Sequence, residues 1–147
     1  MKLAAIVVLL ALPSLAAADA PCKPTGAVTF EIDHSGATTG PRSSTLKIFA
    51  NGAWTYESTD ANGGAGPKGG ACLDEATGKQ VADLVKVPWK TENVMHCMAR
   101  TAERTDFLVN GKKVFTEIMC NSVKLDDASA KALEQLKAIA APLVPKA

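Results

Sequence analysis

Three stretches of this chain carry residue types that could do chemistry. Asp33-His34-Ser35 brings together a carboxylate, an imidazole and a hydroxyl, the components of a serine-nucleophile triad. Triad side chains must converge, whereas neighbours on extended chain point to opposite sides. The stretch therefore reads as a polar turn after a strand. Met95-His96-Cys97-Met98, with Met119-Cys120 further on, offers thioether and imidazole groups that suit copper in an exported protein. On a strand, however, Met95 shares a face with Cys97, and His96 with Met98. Once Cys97 is in a disulfide only the His96–Met98 pair remains on one face, and methionine there is ordinary core filler. Gly63-Gly-Ala-Gly-Pro-Lys-Gly-Gly70 has the composition of a phosphate loop, but Lys68 is followed by Gly69 instead of the required Ser or Thr. No catalytic residue, metal site or cofactor is expected from these stretches.

The elements that must position any site begin with an export signal. Met1-Lys2 is a short positive start, Leu3 to Leu12 is apolar, and Ala16-Ala17-Ala18 supplies small residues for cleavage. Residues 1–18 are expected to be removed, so that the mature chain starts at Asp19, secreted or periplasmic. The apolar run is too short for a membrane span, which needs about 20 such residues, so no membrane anchor is expected after cleavage. Removing 18 of the 147 residues leaves 129, with 15 basic and 15 acidic side chains. A near-zero net charge without basic runs gives no reason to expect nucleic acid or an anionic membrane as partner.

Four cysteines remain: Cys22, Cys72, Cys97 and Cys120. An even count in an exported chain reads as two disulfides, and a zinc site is disfavoured because no Cys-x2-Cys element occurs. An internal similarity selects the pairing. Leu73 to Val87 and Leu125 to Ile139 align without gaps, with Leu, Asp, Ala, Lys and Leu recurring in register. Each copy follows a cysteine and is preceded by an Asn-Gly turn, Asn51-Gly52 and Asn110-Gly111. One supersecondary unit used twice places Cys22 and Cys72 around the first set of strands and Cys97 and Cys120 around the second, so these pairs are expected.

Val28 to Asp33 alternates apolar and polar, as a strand with one buried face does. Thr45–Ala50, Asn51-Gly52 and Ala53–Glu57 form a hairpin signal, with a type I′ turn expected. Ser58 to Ala71 holds five glycines and a proline and reads as a mobile surface loop. Asp74 and Asp126 are expected N-caps of two helices. Val81, Leu84 and Val85 share one helical face, as do Leu133, Leu136, Ala140 and Leu143. Val94–Arg100, Thr105–Val109 and Lys112–Cys120 read as extended, with an irregularity near Thr101–Arg104 needed to bring Cys97 opposite Cys120. Trp54 and Tyr56 fall on one strand face and are expected in the core.

The fold expected is α+β: two tandem β-hairpin-plus-helix units, about 22–90 and 94–143, within a single exported domain spanning 19–147. Their antiparallel sheet would carry both helices on one face. The strand order from Val28 to about Val87, Ser35-Gly36 in the first loop and the amphipathic helix that follows resemble emfourin-like inhibitors of secreted metalloproteases. That resemblance implies an inhibitory binding module whose partner is another protein. The expected function is non-enzymatic binding through the loops His34–Ser43 and Ser58–Ala71, with Asn62, Gly63, Gly64, Gly66, Pro67 and Lys68 as candidate contacts. The alternatives are an envelope or periplasmic accessory protein with no small-molecule site, and a His/Met metal-binding protein.

Overall fold

The computed structural model describes residues 22–36, 40–94, 103–119, 121 and 123–145. Its main element is a six-stranded antiparallel sheet in the order β4-β3-β2-β1-β6-β7. The strands are β1 (Val28–Ser35), β2 (Ser43–Phe49), β3 (Ala53–Thr59), β4 (Ala65–Cys72), β6 (Arg104–Val109) and β7 (Lys112–Ile118). A separate antiparallel pair joins β5 (Thr91–Asn93) to β8 (Val123–Leu125). Among the described residues, two α-helices, α1 (Glu75–Leu84) and α2 (Asp127–Ala140), the second followed by a 3-10 turn at Ala141–Leu143, complete the α+β fold.

Strand periodicity explains the core. On one face of the sheet, register aligns Tyr56, Leu46, Ile32, Phe107 and Phe115 in a row from β3 to β7. A second row holds Trp54, Ile48, Phe30 and Val109. Val81 and Val85, at the end of α1, and Leu133, Leu136 and Ala140 of α2 join the same buried cluster, which puts both helices on one face. The apolar stripes read from the sequence are those that pack. Tyr56 is buried, and Trp54 is half-buried against the cluster's edge.

Both expected caps form. The Asp74 carboxylate accepts from the Thr77 backbone N–H at 2.9 Å and from the Thr77 hydroxyl at 2.6 Å. Asp126 accepts from the Ser129 N–H at 2.9 Å. Hydrogen bonds from Thr77 and from Ser129, respectively, hold each carboxyl below its ordinary value. The start of α2 is also tied to the segment after Trp89. The Lys90 N–H donates to Ser129 Oγ at 3.0 Å, and the Asp126 N–H donates to the Lys90 carbonyl at 3.1 Å.

Three expectations need correction or delimiting. Residues Ser58–Ala71 are not a mobile loop: β3 runs to Thr59, and β4 occupies 65–72 as the sheet's edge strand. The Asn51-Gly52 turn is not type I′. Only Gly52 has positive φ, 79°, and its N–H donates to the Phe49 carbonyl at 2.9 Å. That is a wider turn with glycine in the left-handed position. The Asn51 side chain is occupied elsewhere: its amide donates to the Lys23 carbonyl at 2.9 Å, and its Oδ1 accepts from Ala53 at 3.2 Å. Asn110-Gly111 does form the two-residue turn, with φ of 50° and 75° and Val109 paired to Lys112. Finally, one expected disulfide, Cys22–Cys72, is formed, whereas Cys97, Cys120 and the irregularity at 101–102 lie outside the described residues. Among the described residues, four strands of the main sheet precede α1 and two lie between α1 and α2; residues 95–100, most of the segment expected to be extended before Thr105, lie outside them.

The sheet's other face is polar. A cross-strand row runs Lys68, Glu57, Thr45, Asp33, Asp106, Thr116 from β4 to β7. It sets Asp33 directly opposite Asp106, an arrangement that is unfavourable without compensation. Asp106 is 5% exposed, and three donors converge on it: Thr116 Oγ1 at 2.5 Å, Arg104 at 2.9 Å and Lys113 at 3.3 Å. Burial alone would raise this carboxyl; the Thr116 hydroxyl, Lys113 and Arg104 outweigh it and hold the group below its ordinary value. With the folded value depressed, the contribution is present above the ordinary carboxylate range and is lost as pH falls through the lower folded value. Asp106→Asn should cost about 1–3 kcal/mol at neutral pH. Urea titrations from pH 7 to strong acid should show the gap between wild type and variant closing at the acid end. A gap independent of pH would contradict this account.

Candidate functional site

The two segments expected to recognise a partner meet at one end of the sheet. After β1, the Gly36 N–H donates to the Arg42 carbonyl at 3.0 Å, closing the base of the first loop. The Arg42 N–H then donates to the Thr59 carbonyl at 3.0 Å, and Ser43 Oγ lies 2.8 Å from Thr59 Oγ1. The first loop is thus joined to the last residue of β3, where the second segment begins.

The second segment is a tight hairpin. Asp60 organises its turn: Oδ1 accepts from the Asn62 N–H at 2.8 Å and the Gly64 N–H at 2.7 Å. The Asp60 N–H donates to the Gly64 carbonyl at 2.9 Å, and the Gly63 N–H to the Asp60 carbonyl at 3.0 Å. Asn62, Gly63 and Gly64 are exposed at this turn, while Gly66, Pro67 and Lys68 lie on β4. Glycine on β4 has a packing reason. A Cβ at Gly66 would come within 2.6 Å of Ser58 Oγ, which is held by donating to the Pro67 carbonyl at 2.9 Å. A Cβ at Gly69 would meet the Trp54 ring at 3.3 Å, so that ring covers the glycine edge as a side chain would.

Between the two segments lies a shallow depression of about 300 Å³ whose walls include Ser43, Ser44, Glu57, Thr59, Gly64 and Lys68. Glu57 and Lys68 face each other across the strands at 4.0 Å, both well exposed. Their ion pair is worth little to stability, so both charges are accessible to a partner. Hydroxyls and one charge of each sign offer hydrogen bonds and ionic contacts, with no aromatic platform.

His34 lies at the same end of the sheet. Its Nδ1 is 2.9 Å from Thr105 Oγ1, and its Nε2 is 3.8 Å from Glu103 Oε1. Strand alternation sends Asp33 and Ser35 to the opposite face from His34. Asp33 instead accepts from the Thr45 hydroxyl at 3.1 Å. The three adjacent residues do not converge. Among the described residues, no group of three or more His, Cys, Asp or Glu side chains could hold a metal ion. Met95, His96, Cys97, Met98 and Cys120 lie outside the described residues, and Met119 is 84% exposed.

Sequence reasoning did not find the Arg42–Thr59 junction or the role of Asp60. The Asp60 turn had a usable signal, since aspartate two residues before Asn62-Gly63 is an Asx-turn pattern. The junction had none, because a backbone hydrogen bond between strand ends leaves no residue-type signature. Compared with known protein families, curated proteins and solved structures, the chain shows no significant match to any.

Proposed function

We propose that this protein is an exported, non-enzymatic binding module that engages another protein through the loop end of its sheet, with inhibition of a secreted protease as the specific activity. The observation that carries this reading is the direct joining of the two candidate loops by the Arg42–Thr59 hydrogen bond. It makes one continuous surface from residues 40–44 and 57–68. Because Asp60 ties the turn internally, little ordering cost opposes binding, in contrast to a free loop at about 1–2 kcal/mol per backbone residue fixed. Export is supported by the Cys22–Cys72 bridge, a bond that persists in oxidising compartments. No helix among the described residues is long and apolar enough to cross a membrane.

The test uses substitutions in place of a deletion, since removing Gly63–Gly70 would take out most of β4. Mature protein should inhibit at least one of a panel of secreted metallo-, serine and cysteine proteases near stoichiometric concentration. Lys68→Glu and Arg42→Ala, both at exposed positions, should weaken inhibition by roughly tenfold or more each, as loss of a partner-facing charge does. His34→Ala should leave it nearly unchanged. A panel without inhibition would sink the protease reading. Loss of activity in His34→Ala alone would move the site to the His34–Thr105–Glu103 cluster.

The tandem-unit architecture and the second bridge belong to the same proposal. Asn93 is paired with Val123, so the segments leading to Cys97 and Cys120 depart from neighbouring positions. Non-reducing peptide mapping should recover a Cys97–Cys120 peptide. A Cys72–Cys97 peptide would refute both the pairing and the repeat.

A further inference from the structure

We draw no further inference here: the strongest candidate, the apolar slot of about 340 Å³ between β7 and the β8–α2 corner, lined by Phe115, Val123 and Leu133, has Val94 and Asn121 on its walls, whose chain neighbours 95–102, 120 and 122 lie outside the described residues, so nothing in the structure shows what covers it.

Discussion

Phe30→Ala should lower the unfolding free energy by about 3–5 kcal/mol, the range for emptying a buried aromatic site. Phe30 is 0% exposed and stands on the central strand, with Ile48 opposite on β2 and Val109 opposite on β6. Neighbours held in two ladders cannot readily collapse into the space, so the cost should lie toward the upper end of that range. Total stability of a domain this size is about 5–15 kcal/mol, so the variant would keep only part of its margin. The informative control is Leu108→Ala. Leu108 lies on β6 next to Phe107 but faces the polar side of the sheet and is only half-buried. Its loss should stay near 1 kcal/mol or below, in proportion to the smaller area withdrawn from water. Urea denaturation of both variants decides the matter. Equal costs, or a larger cost at Leu108, would mean that the helices cover the other face.

The contrast between Phe30 and Leu108 also shows which features of the sequence carry structural information. Period-two alternation from Val28 to Asp33 placed Phe30 and Ile32 on one face, and helical spacing grouped Leu133, Leu136 and Ala140. Those patterns are legible because burial imposes them on residue type directly. The capping aspartates Asp74 and Asp126 were legible for a similar reason: a free backbone N–H needs a nearby acceptor. Strand β4 was not legible. Its Gly and Ala content has low intrinsic strand preference, and it is ordered by things remote in sequence, namely the Trp54 ring, the Ser58 hydroxyl and the bridge at Cys72. The short β5–β8 pair escaped notice because three-residue strands carry too few alternations to register.

The candidate site divides along the same line. That the segments around 34–43 and 58–71 were candidates came from composition, because glycine, proline and polar clusters mark connections. Their adjacency came only from topology, since β1–β2 and β3–β4 are consecutive hairpins whose connections fall at the same end of the sheet. Composition also misjudged the stiffness of the second segment. Glycines there serve close strand approach, not mobility, and the Asp60 hydrogen bonds hold the turn. A stiff hairpin suits recognition with a fixed shape, and under the proposed function altering the exposed charge of Lys68 or Arg42 should act mainly on the association rate and its salt dependence.

Stiffness of that edge depends on the bridge at the far end of β4. Replacing both Cys22 and Cys72 with serine should lower the unfolding free energy by about 2–4 kcal/mol, mainly because the unfolded chain loses a closed loop. The bridge spans a sequence separation of 50, long enough to place the effect toward the upper part of that range in the chain-entropy account. A native-state contribution adds to it. Cys72 is the last residue of β4, and the segment after Cys22 is held at the surface by the Asn51 amide to the Lys23 carbonyl at 2.9 Å, by the Thr25 N–H to Asn51 Oδ1 at 3.4 Å and by the Ala50 N–H to the Ala27 carbonyl at 2.9 Å. Without the bridge, those exposed bonds must hold 22–27 alone, so amide exchange at Thr25 and at the Cys72 end of β4 should quicken more than at Phe107. Reductant is the wrong perturbation, since it would also open any bond between Cys97 and Cys120. The serine pair should therefore be compared with wild type under oxidising conditions, with urea unfolding and residue-resolved exchange read together. An unchanged unfolding free energy would show that the bridge contributes nothing. A uniform rise in exchange through Phe107 would mean that its effect is global and that β4 is not specifically anchored by it.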